Sequence, residues 1–494
     1  MIGLTPCTLA GAVALLGLTY WLGWCAYLLL LHPLAKYPGP KLAAITELWY
    51  AKTYTSGRWH LIINELHQKY GDVVRIAPNE LSFASVQAFK DIYGPQTKSR
   101  KLFPKSKLFY DIGITNIAFE MDPEKHAKQH KWFAPAFRAS ALRSQEHVIH
   151  EHTDLFVDQL RRLGASTGES MNMTDWLEWL TFDIIGELTF GEPFHAVRDA
   201  KTNYWVTLLL GANYGGSLFS LRNRLAIVGP ILQWAPRLSK AAADATKCVM
   251  QHRALTLEKT RKRIEMGPSH KTEDFFSHIL QYGTEKDKEE GMLANQATVL
   301  LTAGAETTAQ TLASVMYFLG VPENARCTKR LQEEVRGTFD RYEDITGDKV
   351  SQMSYLNAVI EEALRIMPPS PMGPPRVSAG ETVDGQYMPE GTYVSADIWT
   401  IHHDPRNVER PWEFDPTRWL EGNKRPYSVP FIIGPRMCIG VNLSWVEMRI
   451  ALAKIVYSFD WTLADKTDWV KESRLYQLWK KPQLMVKLTP APRK

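Results

Sequence analysis

No Asp, Glu, Lys or Arg occurs between Met1 and Ala35, and residues 7–31 are almost continuously apolar or small, with Tyr20, Trp21, Trp24 and Tyr27 among them. A helix of that length crosses a bilayer core of about 30 Å. A cleaved signal peptide has a shorter apolar region behind a basic residue, and neither feature is present. The pattern predicts an N-terminal transmembrane helix over about 7–31. The charge bias puts Lys36, Lys41 and Lys52 on the cytoplasmic side, with the N-terminus in the lumen. The next segment, HPLAKYPGPK at 32–41, has three prolines and a glycine and cannot continue a helix. It reads as a stiff hinge.

Past the hinge, apolar residues fall mostly at helical spacing. Helices are predicted over 56–70, 176–188, 294–319, 328–339 and 356–367, the third being long for a globular protein. Strand-like pieces are short: 73–76, 80–83, 392–395 and 485–488. Residues 368–375 and 411–435 are irregular. With no internal repeat and no long linker, 42–494 reads as one large domain, mainly α with a minor β-sheet.

Composition narrows the class. Hydrophobic residues make up 45% and charged residues 22%, and the net charge is +5. That is mild for the length, and no aromatic-studded basic run points to nucleic acid. Cys7, Cys25, Cys248, Cys327 and Cys438 are odd in number and far apart, without zinc-site spacing. A disulfide framework is not expected.

One cysteine stands in a frame. Residues 431–440 read FIIGPRMCIG, which fits Phe-x-x-Gly-x-Arg-x-Cys-x-Gly at Phe431, Gly434, Arg436, Cys438 and Gly440. Five specified positions at about one in twenty each make a chance match about one in three million per start. A thiolate ligand needs shelter and local positive stabilisation. Gly434 and Gly440 allow close backbone approach, a helix starting near Gly440 would aim its dipole at the sulfur, and Arg436 would pair with a cofactor carboxylate. In the long helix, AGAETT places Ala303 and Gly304 as a flat spot, with Glu306 and Thr307 beside it. The plain alternative is a helix-crossing point.

The cysteine frame resembles the signature of the cytochrome P-450 family, and the resemblance covers most of the chain. It implies the P-450 fold after one transmembrane helix, haem b (iron protoporphyrin IX), and Cys438 as the iron ligand. It implies a monooxygenase that takes electrons from NADPH through cytochrome P-450 reductase and acts with O2 on a hydrophobic small molecule. Thr307 would be the oxygen-contacting alcohol and Glu306 the acid. Glu362 and Arg365, at i,i+3 on one helix face, would be joined by Arg418 in a buried structural cluster. Arg376 would meet a haem propionate, with Met372 and Gly373 lining the substrate cavity. One departure is visible: where relatives carry Trp or His and then Arg four residues on, this chain has His126 and His130, so the second position lacks a permanent charge. Stretches around 175–194 and 354–369 resemble fungal microsomal members of secondary metabolism, which implies an endoplasmic-reticulum anchor and a cytosolic catalytic domain.

Other readings are weaker. A zinc hydrolase on His126 and His130 would need glutamate after the first histidine, and Ala127 stands there. A non-oxygenating haem protein, or an NADPH-independent haem isomerase or dehydratase, has no need of the Glu306–Thr307 pair. Lys125, Lys128 and Lys131 form either a solvated face or a dock for an acidic reductase. Residues 103–119 and 204–232, apolar and aromatic, are expected to face substrate. The sequons at Asn172 and Asn442 are read as coincidental, with Asn442 expected to be buried.

Overall fold

The computed structural model describes residues 6–97, 100–208, 211, 221–225, 234, 237, 240–268 and 274–492. Its longest element is the helix Glu290–Gly320, here called the central helix. It lies against Met173–Phe190, a helix buried on nearly every side. A helix apolar all round belongs in the interior, and these two form the middle of the molecule. Gly304 permits the close approach. A Cβ there would come within 2.4 Å of the Ile185 side chain. The crossing-point reading of Gly304 therefore holds, alongside its place at the cavity described below.

The remaining helices wrap this pair. Ala139–Leu160 packs on Val441–Ser458, the helix that follows the cysteine frame. Ser354–Ile366 packs against both the central helix and Val441–Ser458. The helices predicted over 176–188, 294–319, 328–339 and 356–367 are all present, each a little longer or shifted by a few residues. The stretch predicted over 56–70 begins as a helix only at Trp59. Two long helices escaped the pattern, Ala139–Leu160 and Lys240–Glu265. Both are rich in charged and polar residues, so their apolar stripe is thin.

The sheets are small. Val73–Ala77 pairs antiparallel with Glu80–Phe83, which runs parallel to Tyr393–Ala396, and Arg376–Val377 closes that edge with Arg376 opposite Val394. A second sheet joins Ser170–Asn172, Met485–Pro490 and Phe459–Leu463. It ties the C-terminal strand to the start of helix Met173–Phe190, because Asn172 faces Met485. The Asn172 side chain accepts from Thr174 N at 3.3 Å and Leu484 N at 3.0 Å. That sequon is thus a helix cap. Asn442, expected to be buried, is exposed on the first turn of its helix.

The N-terminal helix runs Pro6–Leu30, and its apolar side chains are mostly exposed. From Cys7 to Leu30 it is long and apolar enough to cross a membrane. Its end is docked: Leu28 is buried, and the fully buried Arg75 donates to Leu28 O at 2.7 Å. Residues 32–41 are packed on the first sheet. Leu34 is buried, Arg75 N donates to Pro38 O at 2.8 Å, and a Cβ on Gly39 would come within 2.3 Å of Arg75 O.

Candidate active site

The cysteine frame closes on itself. Cys438 N donates to Phe431 O at 3.0 Å. Gly434 sits at φ 76°, and a Cβ there would meet Tyr93 O at 2.2 Å, so conformation and space both require glycine. Gly440 is different. It precedes helix Val441–Ser458, and a Cβ on it would meet Cys438 Sγ and Phe137 only at 3.9 Å, an ordinary contact. The close approach expected at both glycines is forced at Gly434 alone. Burial raises the Cys438 thiol, while the Gly440 amide pulls it the other way. The sulfur is exposed only in the sense that it opens onto an internal cavity.

That cavity has a volume of about 320 Å³, the lower end of the range for small-molecule sites. Cys438 and Phe431 form one wall and Ala303, Gly304 and Thr307 of the central helix another, with Met372 contributing. Gly373 is not in the wall; a Cβ on it would meet Ala396 O at 1.9 Å, so it serves packing against the sheet. No residue of 103–119 lines the cavity either. That stretch docks on the central helix through Ile117 N to Gln296 Oε1 at 3.0 Å. Most of 204–232 lies outside the described residues.

Glu306 and Thr307 part company. Thr307 faces the cavity, its hydroxyl donating to Ala303 O at 2.7 Å. Glu306 is buried but absent from the cavity wall, and its Oε2 lies 3.1 Å from Lys481 Nζ. Of the acid and hydroxyl expected beside the flat spot, only the hydroxyl reaches the cavity. Consecutive residues at 3.6 per turn point about 100° apart. The cavity does have a carboxyl of its own, Glu447, which burial pushes up to about 8.

Beside the cavity lies a cluster of cations. Arg436 donates to Glu120 O at 2.8 Å and Met121 O at 3.2 Å. Lys105, opposite Arg376 in an isolated β-bridge, donates to Ala118 O at 2.6 Å. None of Lys105, Arg376 and Arg436 makes an ion pair among the described residues. Burial first, then the charges of Arg436 and Arg376, hold Lys105 down at about 6. Burial and Arg376 hold Arg436 at about 10. His126 is buried, held at about 3 by burial and by Arg436, Lys105, His130 and Arg376 in that order. His130 lies beside it, the ring centroids 6.1 Å apart. Buried like charges without partners are costly, so this arrangement suits an anionic ligand edge. Lys105 went unnoticed in the sequence. Lys101 and Lys107 stand in the same run, so nothing local singles it out.

Glu362, Arg365 and Arg418 come together as expected. Arg365 donates to Glu362 at 2.8 and 2.7 Å, and Arg418 Nε donates to Glu362 Oε1 at 3.1 Å. The cluster reaches the cysteine frame through His402, whose Nδ1 lies 3.1 Å from Arg365 O and whose Nε2 accepts from Val429 N at 2.8 Å. Burial and Arg365 hold His402 at about 3, so its ring is neutral and suits one donor and one acceptor.

The fold and site are those of a haem-iron protein with a cysteine at the cavity: a mainly helical body, a thiol opening onto an apolar chamber, and beside it cations without an ion pair among the described residues. The chain belongs to the cytochrome P450 family, whose model matches residues 38–488. It is 39% identical to cytochrome P450 monooxygenase BOA3 of Botryotinia fuckeliana, over 97% of this chain and 96% of that one. It is 37% identical to cytochrome P450 monooxygenase btcC of Colletotrichum orbiculare, over 98% and 96%. Cytochrome P450 monooxygenase ORF9 of Penicillium roqueforti is 36% identical, over 95% and 92%. The protein is a P450 monooxygenase.

Proposed function

We propose that this monooxygenase inserts one oxygen atom of O2 into a hydrophobic small molecule, an intermediate of fungal secondary metabolism. Its electrons come from NADPH through cytochrome P450 reductase. The observation that carries this reading is the apolar cavity with Cys438 on one wall and Thr307 on another. The cofactor is haem b: Cys438 would ligate its iron, and Arg376, Arg436 and Lys105, with His126 as a neutral donor, would receive its carboxylates. When bound, haem activates dioxygen, and the thiolate's electron density favours O–O cleavage. Residues 1–31 anchor the protein in the endoplasmic-reticulum membrane, 32–41 form the hinge, and 42–494 form the cytosolic catalytic domain. The fungal relatives and the docked apolar helix support this arrangement. Deleting the gene should make a hydrophobic precursor accumulate, and the purified enzyme should add oxygen to it only with NADPH, reductase and O2. Conversion without NADPH would point instead to an isomerase or dehydratase.

The chain's own part in the chemistry is to shelter, orient and protonate. Thr307 is the one hydroxyl of the AGAETT turn with both cavity access and a fixed hydrogen bond, and we assign it the passing of protons into the cavity. Thr307→Ala should still consume NADPH but release a larger share of its electrons as peroxide. Product yield per NADPH equal to wild type would remove Thr307 from that role.

Lys125 and Lys131 are exposed on helix Pro123–Phe133, while Lys128, on the same helix, is tied to Asp287 at 2.7 Å. We assign Lys125 and Lys131 to the reductase dock. Surface charges of this kind act mainly on association rate and weaken with salt. Reversing both to Glu should slow the first electron transfer at low ionic strength and converge on wild type at high. Lys128→Glu would in addition break an internal pair, so it is the poorer probe. Equal rates at low salt would place the dock elsewhere.

A further inference from the structure

The Glu306 carboxylate sits in a buried group of three. Lys481 Nζ lies 2.7 Å from Glu178 Oε1 and 3.1 Å from Glu306 Oε2. The side chains of Lys481, Glu178 and Glu306 are 3%, 10% and 4% exposed. Lys481 is held there by the chain around it: Pro482 O accepts from Thr174 Oγ1 at 2.9 Å and from Trp469 Nε1 at 3.1 Å. The other Glu306 oxygen, Oε1, is buried with no hydrogen-bond partner. One cation is thus shared by two carboxylates, and the more distant one belongs to the central helix, one residue before Thr307.

We propose that Lys481 is a positioning residue that latches the ionised Glu306 carboxylate away from the catalytic cavity and releases it when it takes up a proton. This rests on Thr307 passing protons into the cavity, as proposed above, and on Glu306 as the acid that supplies it, the role the resemblance implies. An ionised Glu306 is drawn to Lys481 strongly, because little water screens the pair. A protonated Glu306 loses most of that attraction, and its unpartnered oxygen gives it little else to stay for. Lys481 is not stranded when Glu306 leaves, because Glu178 is the nearer partner. The released carboxyl swings toward the cavity and gives its proton to the Thr307 hydroxyl, which passes its own proton inward. The carboxylate returns to Lys481, and solvent supplies the next proton. Burial raises Glu306, Lys481 lowers it and Glu178 raises it, leaving it at about 7, so both states are populated near neutrality. The charged groups facing this cluster are Glu178 and Asp175 on helix Met173–Phe190 and Lys481 itself.

Two substitutions should move Glu306 in opposite directions. Lys481→Met removes the lowering charge, so its protonation midpoint should rise by about one pH unit or more. Glu178→Gln removes a raising charge and leaves Lys481 to Glu306 alone, so the midpoint should fall. Lys481→Arg should restore a near-wild-type value. The first measurement is the carboxylic-acid infrared band of the resting holoenzyme across pH, assigned by its loss in Glu306→Gln. The second uses dioxygen as the probe, with NADPH, reductase and no organic substrate. Reducing O2 to two waters takes up twice as many protons as reducing it to peroxide, so the water share should fall as Glu306 ionises. The midpoint of that fall should follow the infrared midpoint, up in Lys481→Met and down in Glu178→Gln. Midpoints that stay put, or that move in the same direction in both variants, overturn the latch. So does an infrared shift that the water share does not follow. Glu306→Gln with a wild-type water share and pH profile would instead overturn Glu306 as donor. Should Lys481→Met not hold haem, Lys481→Met/Glu178→Gln leaves a lone buried carboxyl whose midpoint must still lie above wild type.

Discussion

Cys438→Ser should abolish the red-shifted Soret band that the reduced protein shows with carbon monoxide, and with it all detectable oxygenation. The band depends on a thiolate opposite the bound gas, and a serine hydroxyl keeps its proton at working pH. The fold should survive, because the side chain projects into the cavity and leaves the surrounding hydrogen bonds to the backbone. Cys438 N to Phe431 O is a main-chain bond, and the tight fit at Gly434 does not involve the cysteine side chain. Circular dichroism should match wild type. Cys25→Ser, Cys248→Ser and Cys327→Ser should keep the band, since none of them reaches the cavity. An unchanged band in Cys438→Ser would end the assignment of this residue to iron.

Much of the frame around that cysteine could be read from the sequence because its spacing is local. Phe431, Gly434, Arg436 and Cys438 lie within a few residues of one another, and Glu362 and Arg365 within one helical turn. The central helix was equally plain, being long, apolar and free of proline. What could not be read depends on chain segments far apart. Lys481 is 175 residues from Glu306, and the strand pairing of Asn172 with Met485 brings its segment to the start of helix Met173–Phe190. Lys105 meets Arg376 only through an isolated bridge to the first sheet. Helix Lys240–Glu265 was hidden because its buried positions include Thr256, Thr260 and Arg263, which leave no clear apolar stripe. The separation of Glu306 from Thr307 was no more legible, because it depends on the distant Lys481, which pairs with the Glu306 carboxylate outside the cavity wall.

Arg365→Ala should cost more stability than any exposed charge in the molecule. Arg365 and Glu362 are both 0% exposed and make two parallel hydrogen bonds, the geometry in which Arg–carboxylate pairs are strongest. Arg365 also donates to His402 O at 3.0 Å and Pro411 O at 2.8 Å. Truncating it leaves those carbonyls unpaired and takes one of two guanidinium partners from Glu362. Breaking a buried pair in this way costs about 3–5 kcal/mol, against a net stability of about 5–15 kcal/mol for a typical domain. The damage should reach the haem site directly, because Arg365 O and Val429 N share His402, and Val429 leads into the cysteine frame. Arg365→Ala should therefore yield mostly haem-free or aggregated protein. Arg365→Lys should rescue little, since an ammonium cannot reproduce the planar fork. Arg161→Ala is the control: Arg161 and Asp158 are 49% and 71% exposed, and pairs of that kind contribute little. The measurement is haem per polypeptide together with the thermal midpoint of the three variants. If Arg365→Ala retains full haem and melts with wild type, the cluster does not hold the cysteine frame, and its burial reflects local packing alone.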